Sequence, residues 1–244
     1  MRRWILVLVL VSLVAAPAFA QPPLEEARQL YVRYHEDLSR LDRARDLLEK
    51  ALKEDSRIEI MLSLAQVYFT WGDVRAGDRD EKLRAYERGR ELAKRAVELA
   101  PRNPIAHLWY AIHTGRVGQT RGVLRSLFLV PTIKEELEIV FSLDPNLPGA
   151  HDLAGNVALE LPGFLGGDLD EAEKHFRQGL KIDPRFTALR VDLARLLIKK
   201  GKPAEARKEL QRVLNEKAPR SAADWAAKDS KRAREILQSI QTNG

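Results

Sequence analysis

The sequence predicts an all-α protein: a solenoid of antiparallel helix pairs with insertions between paired helices and a capping helix at its carboxyl end. Three observations carry this reading. Among 244 residues there are only 14 Gly and 12 Pro, and the bulk is Ala, Leu, Arg, Lys and Glu, the residues that enter a helix at least cost. Five segments recur, at Leu48–Ser56, Ala93–Pro101, Leu137–Pro145, Phe176–Pro184 and Leu210–Pro219. Each reads as the last two turns of an amphipathic helix, and four of them stop at proline. Their ends lie 45, 44, 39 and 35 residues apart, which fits a helix–turn–helix unit of about 34 residues with growing insertions. Finally, Pro101-x-x-Pro104-x-Ala-His107 returns as Pro145-x-x-Pro148-x-Ala-His151, placing two histidines at one position of the unit.

Taken in order, residues 1–20 have the form of an export signal. Arg2 and Arg3 precede an apolar run from Trp4 to Val14, and Ala18-Phe19-Ala20 supplies an A-x-A end, so cleavage is expected before Gln21. The run is shorter than the roughly 20 apolar residues that span a bilayer, and Pro17 interrupts it. Residues 21–244 are expected to form one solenoid domain. Its helix pairs cover 24–54, 57–100, 104–143, 148–182 and 185–217. Within them the helices read as 24–40 and 42–54, 57–72 and 79–100, 104–116 and 132–143, 148–160 and 168–182, and 185–200 and 203–217. Gly163, Gly166 and Gly167 form the turn of the fourth pair, with Asp168 capping the helix that follows. A closing helix over 221–241 sets Trp225, Ile236, Leu237 and Ile240 against Lys228, Lys231, Arg232 and Arg234, the two-faced character a terminal cap needs.

The positional pattern resembles the tetratricopeptide repeat (TPR). The last unit carries Leu193, Ala194, Leu197, Gly201, Ala206, Leu210 and Val213 in the family's register, and the one before it Gly155, Gly167, Ala172, Phe176 and Pro184. Small residues at positions 8 and 20 let the paired helices touch. Earlier units are degenerate: Gly89 and Ile133 stand at position 20. The inserts, and Leu161-Pro162-Gly163-Phe164-Leu165-Gly166-Gly167-Asp168 in particular, resemble the T-component family associated with TRAP transporters. The mitochondrial regulators of microtubule dynamics carry similarly inserted repeats. The T-component resemblance implies a periplasmic protein that partners a substrate-binding protein and passes a hydrophobic ligand through an internal channel. T-components are often lipoproteins, and the lack of any Cys leaves no lipid attachment point here.

Enzymatic chemistry finds no foothold. Without Cys there is no disulfide, thiolate metal site or thiol nucleophile. His35-Glu36 is half of an H-E-x-x-H motif, but Ser39 stands where the second ligand belongs. His107, His113 and His151 are the better histidine cluster, yet position 4 of a repeat packs between helices, so a structural role is expected first. Trp109-Tyr110 reads as core. No phosphate loop or nucleophile elbow is present, and no catalytic residue, cofactor or metal is expected. A net charge of +6 from 41 Lys+Arg and 35 Asp+Glu, interleaved along the chain, argues against nucleic acid. Residues 199–234 hold 12 basic and 5 acidic side chains, either a solvated cap or a face for an acidic partner.

A binding scaffold is the function these features favour, with a purely structural envelope protein as the alternative. The TPR resemblance implies a concave groove built from first helices. In this chain it would comprise Ser63, Val67, Thr70 and Trp71, then Leu108, Ile112 and Arg116, then Asp152, Asn156 and Glu160, and finally Val191, Arg195 and Lys199. An apolar floor with charges of both signs suits a peptide segment. The insert containing Val123, Leu124, Leu127, Phe128 and Leu129 is too apolar for an ordinary loop, and is either packed on the solenoid or kept for a partner. Association of the chain with itself is left open.

Overall fold

The computed structural model describes residues 22–242, with the backbone alone of Pro22, Val123, Leu124, Gln241 and Thr242; the expected export signal and the cleavage point before Gln21 lie outside them. The described residues contain helices and turns but no strand. Helices α1 (Pro22–Tyr31) and α2 (Ser39–Glu54) are followed by α3 (Ile58–Val74), α4 (Arg79–Leu99), α5 (Pro104–Arg121) and α6 (Val123–Leu143). Then come α7 (Pro148–Glu160), α8 (Leu169–Ile182), α9 (Thr187–Lys199) and α10 (Pro203–Asn215). The chain closes with a short α11 (Ala222–Asp224), a π-helical turn Trp225–Asp229 and α12 (Ser230–Thr242). Each pair packs within itself and against the next, as a solenoid requires. Ala172, Phe176, Ala206 and Leu210 are fully buried where paired helices touch, and Asp168 caps α8 by accepting from the backbone N–H of Asp170 and Glu171.

The repeated histidine has a specific task. His107 Nε2 lies 3.0 Å from the Pro101 carbonyl and His151 Nε2 lies 3.1 Å from that of Pro145. In the next unit Arg190 does the same, donating to the Pro184 carbonyl at 2.8 Å. All three reach back six residues, satisfying a carbonyl that the proline-terminated helix leaves unpaired. The other nitrogens meet position 23 of the same unit: His107 Nδ1 meets Glu136 at 2.5 Å, His151 Nδ1 meets His175 at 3.1 Å, and Arg190 donates to Glu209 at 2.8 Å. The separations of 29, 24 and 19 residues differ by the length of the inserts between paired helices. This fixes the repeat register independently of the apolar pattern.

Three expectations are corrected. The helix read over 24–40 ends at Tyr31, and Tyr34–Glu36 forms a separate 3₁₀ turn, with Tyr34 fully buried. The closing helix runs over 222–242 but is not regular: it contains a π-helical turn at Trp225–Asp229. The third insert is not a loop between 116 and 132. Instead α5 runs on to Arg121, α6 begins at Val123, and Gly122 alone, at φ 112°, reverses the chain. Only glycine adopts that angle without strain. Pro131 lies inside α6, where it removes one helical hydrogen bond without ending the helix. A Cβ at Gly118 would stand 3.0 Å from the Ser126 backbone, so the two helices close tightly on each other at that turn. The unusual Ile133 at position 20 fits because Gly115 faces it, leaving 3.6 Å to a hypothetical Cβ.

The insert is therefore divided between packing and exposure. Leu127 and Leu129 are half-buried, whereas Phe128 is 81% exposed. Phe128→Ala is expected to change stability by less than about 0.5 kcal/mol, and Leu127→Ala by roughly 1–2 kcal/mol. Urea melts of the two variants check this; equal losses would mean the insert is packed differently.

Candidate partner-binding site

The inner sides of α1, α3, α5, α7 and α9, together with the segment from Pro219 to Glu235, line an open-mouthed chamber of about 2280 Å³. Ser63, Leu108, Ile112, Arg116, Asp152, Asn156, Glu160 and Arg195 face it. Successive first helices present the same face inward, so positions dozens of residues apart meet around one space. Val67 and Thr70 are buried behind its wall, Thr70 bonded to the Tyr31 hydroxyl at 2.8 Å, and three further expected positions turn away. Trp71 turns to α2, donating Nε1–H to Asp42 at 2.6 Å beneath the Arg45 guanidinium. Val191 is fully buried in the core of the last two units. Lys199 reaches outside the chamber to the Leu159 carbonyl at 2.7 Å.

Sequence reasoning missed how the chamber is closed. The carboxyl-terminal segment does not merely cap α10; it crosses to the first helices. The Tyr34 hydroxyl donates to Asp224 at 2.9 Å across 190 residues, and Tyr34, Leu41 and Ala223 form a small buried cluster with Tyr31, Trp71, Val74 and Ala227 around it. Lys228 lies 2.8 Å from Asp224 and 3.7 Å from Asp73, with its ammonium 5.4 Å over the Phe69 ring. Arg232, one turn further on, pairs with Asp192 at 2.8 Å, and Thr187 donates to Asp229 at 2.6 Å. The only signal in the sequence was the mixture of apolar and basic residues in that segment, which a simple cap explains equally well.

The charged groups of the chamber are largely organised before any partner arrives. Arg116 donates to Asp73 at 2.6 Å and lies over both Phe69 and Tyr86, so it is a fixed part of the wall rather than a free charge. Asp73 also accepts from the Tyr86 hydroxyl at 2.6 Å. Arg195 pairs with Glu160 at 2.5 Å and with Asp192 at 3.1 Å. Burial pushes the Asp229 carboxyl up to about 6, against the opposing hydrogen bond from Thr187. His107, His113 and His151 do not converge: His113 packs on Phe69 and Trp109, while His151 stacks with Phe141 and His175. Among the described residues no group of three or more His, Asp or Glu is arranged to hold a metal ion.

Comparison with known proteins identifies the repeats and their subgroup. The family model described as regulator of microtubule dynamics protein 1-3 matches residues 23–160, and a tetratricopeptide repeat model matches 164–228. Regulator of microtubule dynamics protein 3 of Mus musculus is 26% identical over 192 residues, covering 70% of this chain and 41% of its own. Protein 2 of Homo sapiens is 32% identical over 111 residues, covering 46% of this chain and 26% of its own. The chain thus spans about two-fifths of the mouse relative's length. A thermophilic TPR protein of Thermus thermophilus superposes with a TM-score of 0.68 at 22% identity, over 89% of this chain and 98% of that one, which establishes the shared fold. These matches support the repeat reading but not the transporter T-component; the inserts belong with the other family in which such repeats are found.

Proposed function

The chain belongs to the regulator of microtubule dynamics family, and from that premise we propose that it is a TPR scaffold whose chamber holds a segment of a protein partner. One observation carries the reading. Eight of the thirteen positions expected from the TPR resemblance line a single space, with an apolar side at Leu108 and Ile112 and charges of both signs beside it. Convergent polar groups on an apolar wall are what a preformed binding cavity needs. The charged groups of the wall are engaged with one another, as expected of a recognition surface rather than a reacting one. The regulatory role on microtubules named for the relatives comes to this chain as part of the same proposal, with the segment bound in the chamber linking it to its target assembly.

Affinity capture tests this. The full chain is used as bait beside an Ile112→Arg variant, which sets a charge on the apolar wall, and an Arg207→Glu variant on the outer surface of α10. A protein retained by the parent and the Arg207 variant but lost by the Ile112 variant supports the chamber. Capture that survives Ile112→Arg places binding elsewhere. A solute-binding protein among the retained species would restore the transporter role.

A further inference from the structure

We propose that the chamber selects a partner segment carrying a lysine or arginine, whose cation docks on Asp152. This rests on the chamber being the partner site and adds what it recognises.

The first support is the state of the carboxylates around the middle of the space. Asp73 pairs with Arg116, Asp192 with Arg195 and Arg232, Asp224 with Lys228, and Glu160 with Arg195. Asp229 has the Thr187 hydroxyl. Asp152 has only the Asn156 side-chain amide of its own helix, at 3.3 Å, and that amide is shared with Asp192 at 3.2 Å. Six carboxylates therefore meet four cations here, in a chain whose net charge is +6. Over the whole lining nine Asp/Glu balance nine Lys/Arg, so the acidic excess is local to the middle of the space, around Asp152. A cation entering it gains from the unpaired carboxylate, and an anion is opposed.

The second support is that the chamber already takes cations presented on a helix, and shows how. Lys228 and Arg232 stand one turn apart on the carboxyl-terminal segment and enter the same space. Lys228 is seated between carboxylates with its ammonium over the Phe69 ring, and Arg232 is seated on Asp192. A carboxylate with an aromatic face nearby is a general receptor for ammonium and guanidinium groups. Asp152 is on α7 and lines the chamber together with Leu108, Ile112 and Leu153. Burial and the Asp192 charge push its carboxyl well above the usual carboxylate range, against the pull of Arg232, with Asp229 raising and Arg116 lowering it further. A cation brought beside it acts against these raising effects and favours the charged carboxylate.

The test is selection of a randomised heptapeptide phage library on the full chain, its Asp152→Asn variant and the Ile112→Arg variant. Melting curves first show that Asp152→Asn, which keeps shape and removes the charge, remains folded. The parent is expected to enrich peptides with Lys or Arg at one fixed position. The best of them should lose about tenfold in affinity when that residue becomes norleucine, as for removal of one charge-assisted contact. Asp152→Asn should erase the basic preference and keep the apolar one, and Asp152→Glu should retain it. Peptides selected through the chamber without any basic preference, or with a preference that Asp152→Asn leaves unchanged, overturn the inference while the scaffold reading stands. If no peptide is selected, or selection is unaffected by Ile112→Arg, both fall.

Discussion

His107→Ala is expected to destabilise the protein by about 2–4 kcal/mol, more than Leu127→Ala. The side chain is 3% exposed and bridges two acceptors, the Pro101 carbonyl and the Glu136 carboxylate. Its removal leaves the Glu136 side chain, itself 8% exposed, without that hydrogen bond, and leaves the Pro101 carbonyl in the turn after α4 unsatisfied. The penalty thus comes mostly from the two groups left without a partner. Equilibrium urea unfolding of His107→Ala, Glu136→Leu and the double variant measures this. The double variant should lose clearly less than the sum of the singles. A loss under about 1 kcal/mol for His107→Ala would show that the position-4 latch does not hold the repeats together.

The second large effect is a dependence of stability on pH that runs through His113. The ring is fully buried, donates Nε2–H to the Ala65 carbonyl at 2.9 Å and leaves Nδ1 without a partner. Burial is the main cause that lowers its pKa from 6.5 to about 4, with the Arg116 charge acting in the same direction and the Ala65 hydrogen bond opposing it. The unfolded chain binds a proton here below about 6.5 and the folded chain does not until about 4. Stability from this group is therefore complete above pH 6.5 and lost as the pH falls, by roughly 2–3 kcal/mol between about pH 7 and 4.5. Asp229, with its pKa raised to about 6, acts in the opposite sense over part of that range, so the informative quantity is a difference. The fall for the parent should exceed that for His113→Phe by roughly 2–3 kcal/mol. Equal falls would mean that His113 protonates within the folded protein.

The same histidine explains a departure from the repeat pattern. Position 20 of the second unit is Gly89 where the family has alanine, and a Cβ there would sit 2.0 Å from His113 Cε1. In the sequence Gly89 looks like degeneration; in the fold it is the complement of a ring that arrives from the next unit. Arg116 is a related case. The repeat register places it correctly on the inner surface, but its pairing with Asp73 and its stacking on Phe69 and Tyr86 depend on side chains from two other helices. The helicity of Val123–Pro131 escapes a sequence reading because apolar character does not distinguish a buried segment from an exposed one, and the single reversing residue, Gly122, carries no pattern.

What the sequence determined by itself is whatever the repeat repeats. Helix periodicity, proline stops, the small residues Ala172 and Ala206 between paired helices and the position-4 histidines are all local or nearest-neighbour properties. In a solenoid, contacts between adjacent units supply most of the stability. The inward-facing positions rest on the same register, and eight of the thirteen expected line the chamber. Only the tertiary structure decided how far the superhelix turns. That rotation accumulates over the units, each insert alters it, and its sum brings Asp224 to Tyr34 from 190 residues away. The chamber, the seating of Lys228 and Arg232 within it and an Asp152 without a cation partner all depend on that sum, which no window of the sequence contains.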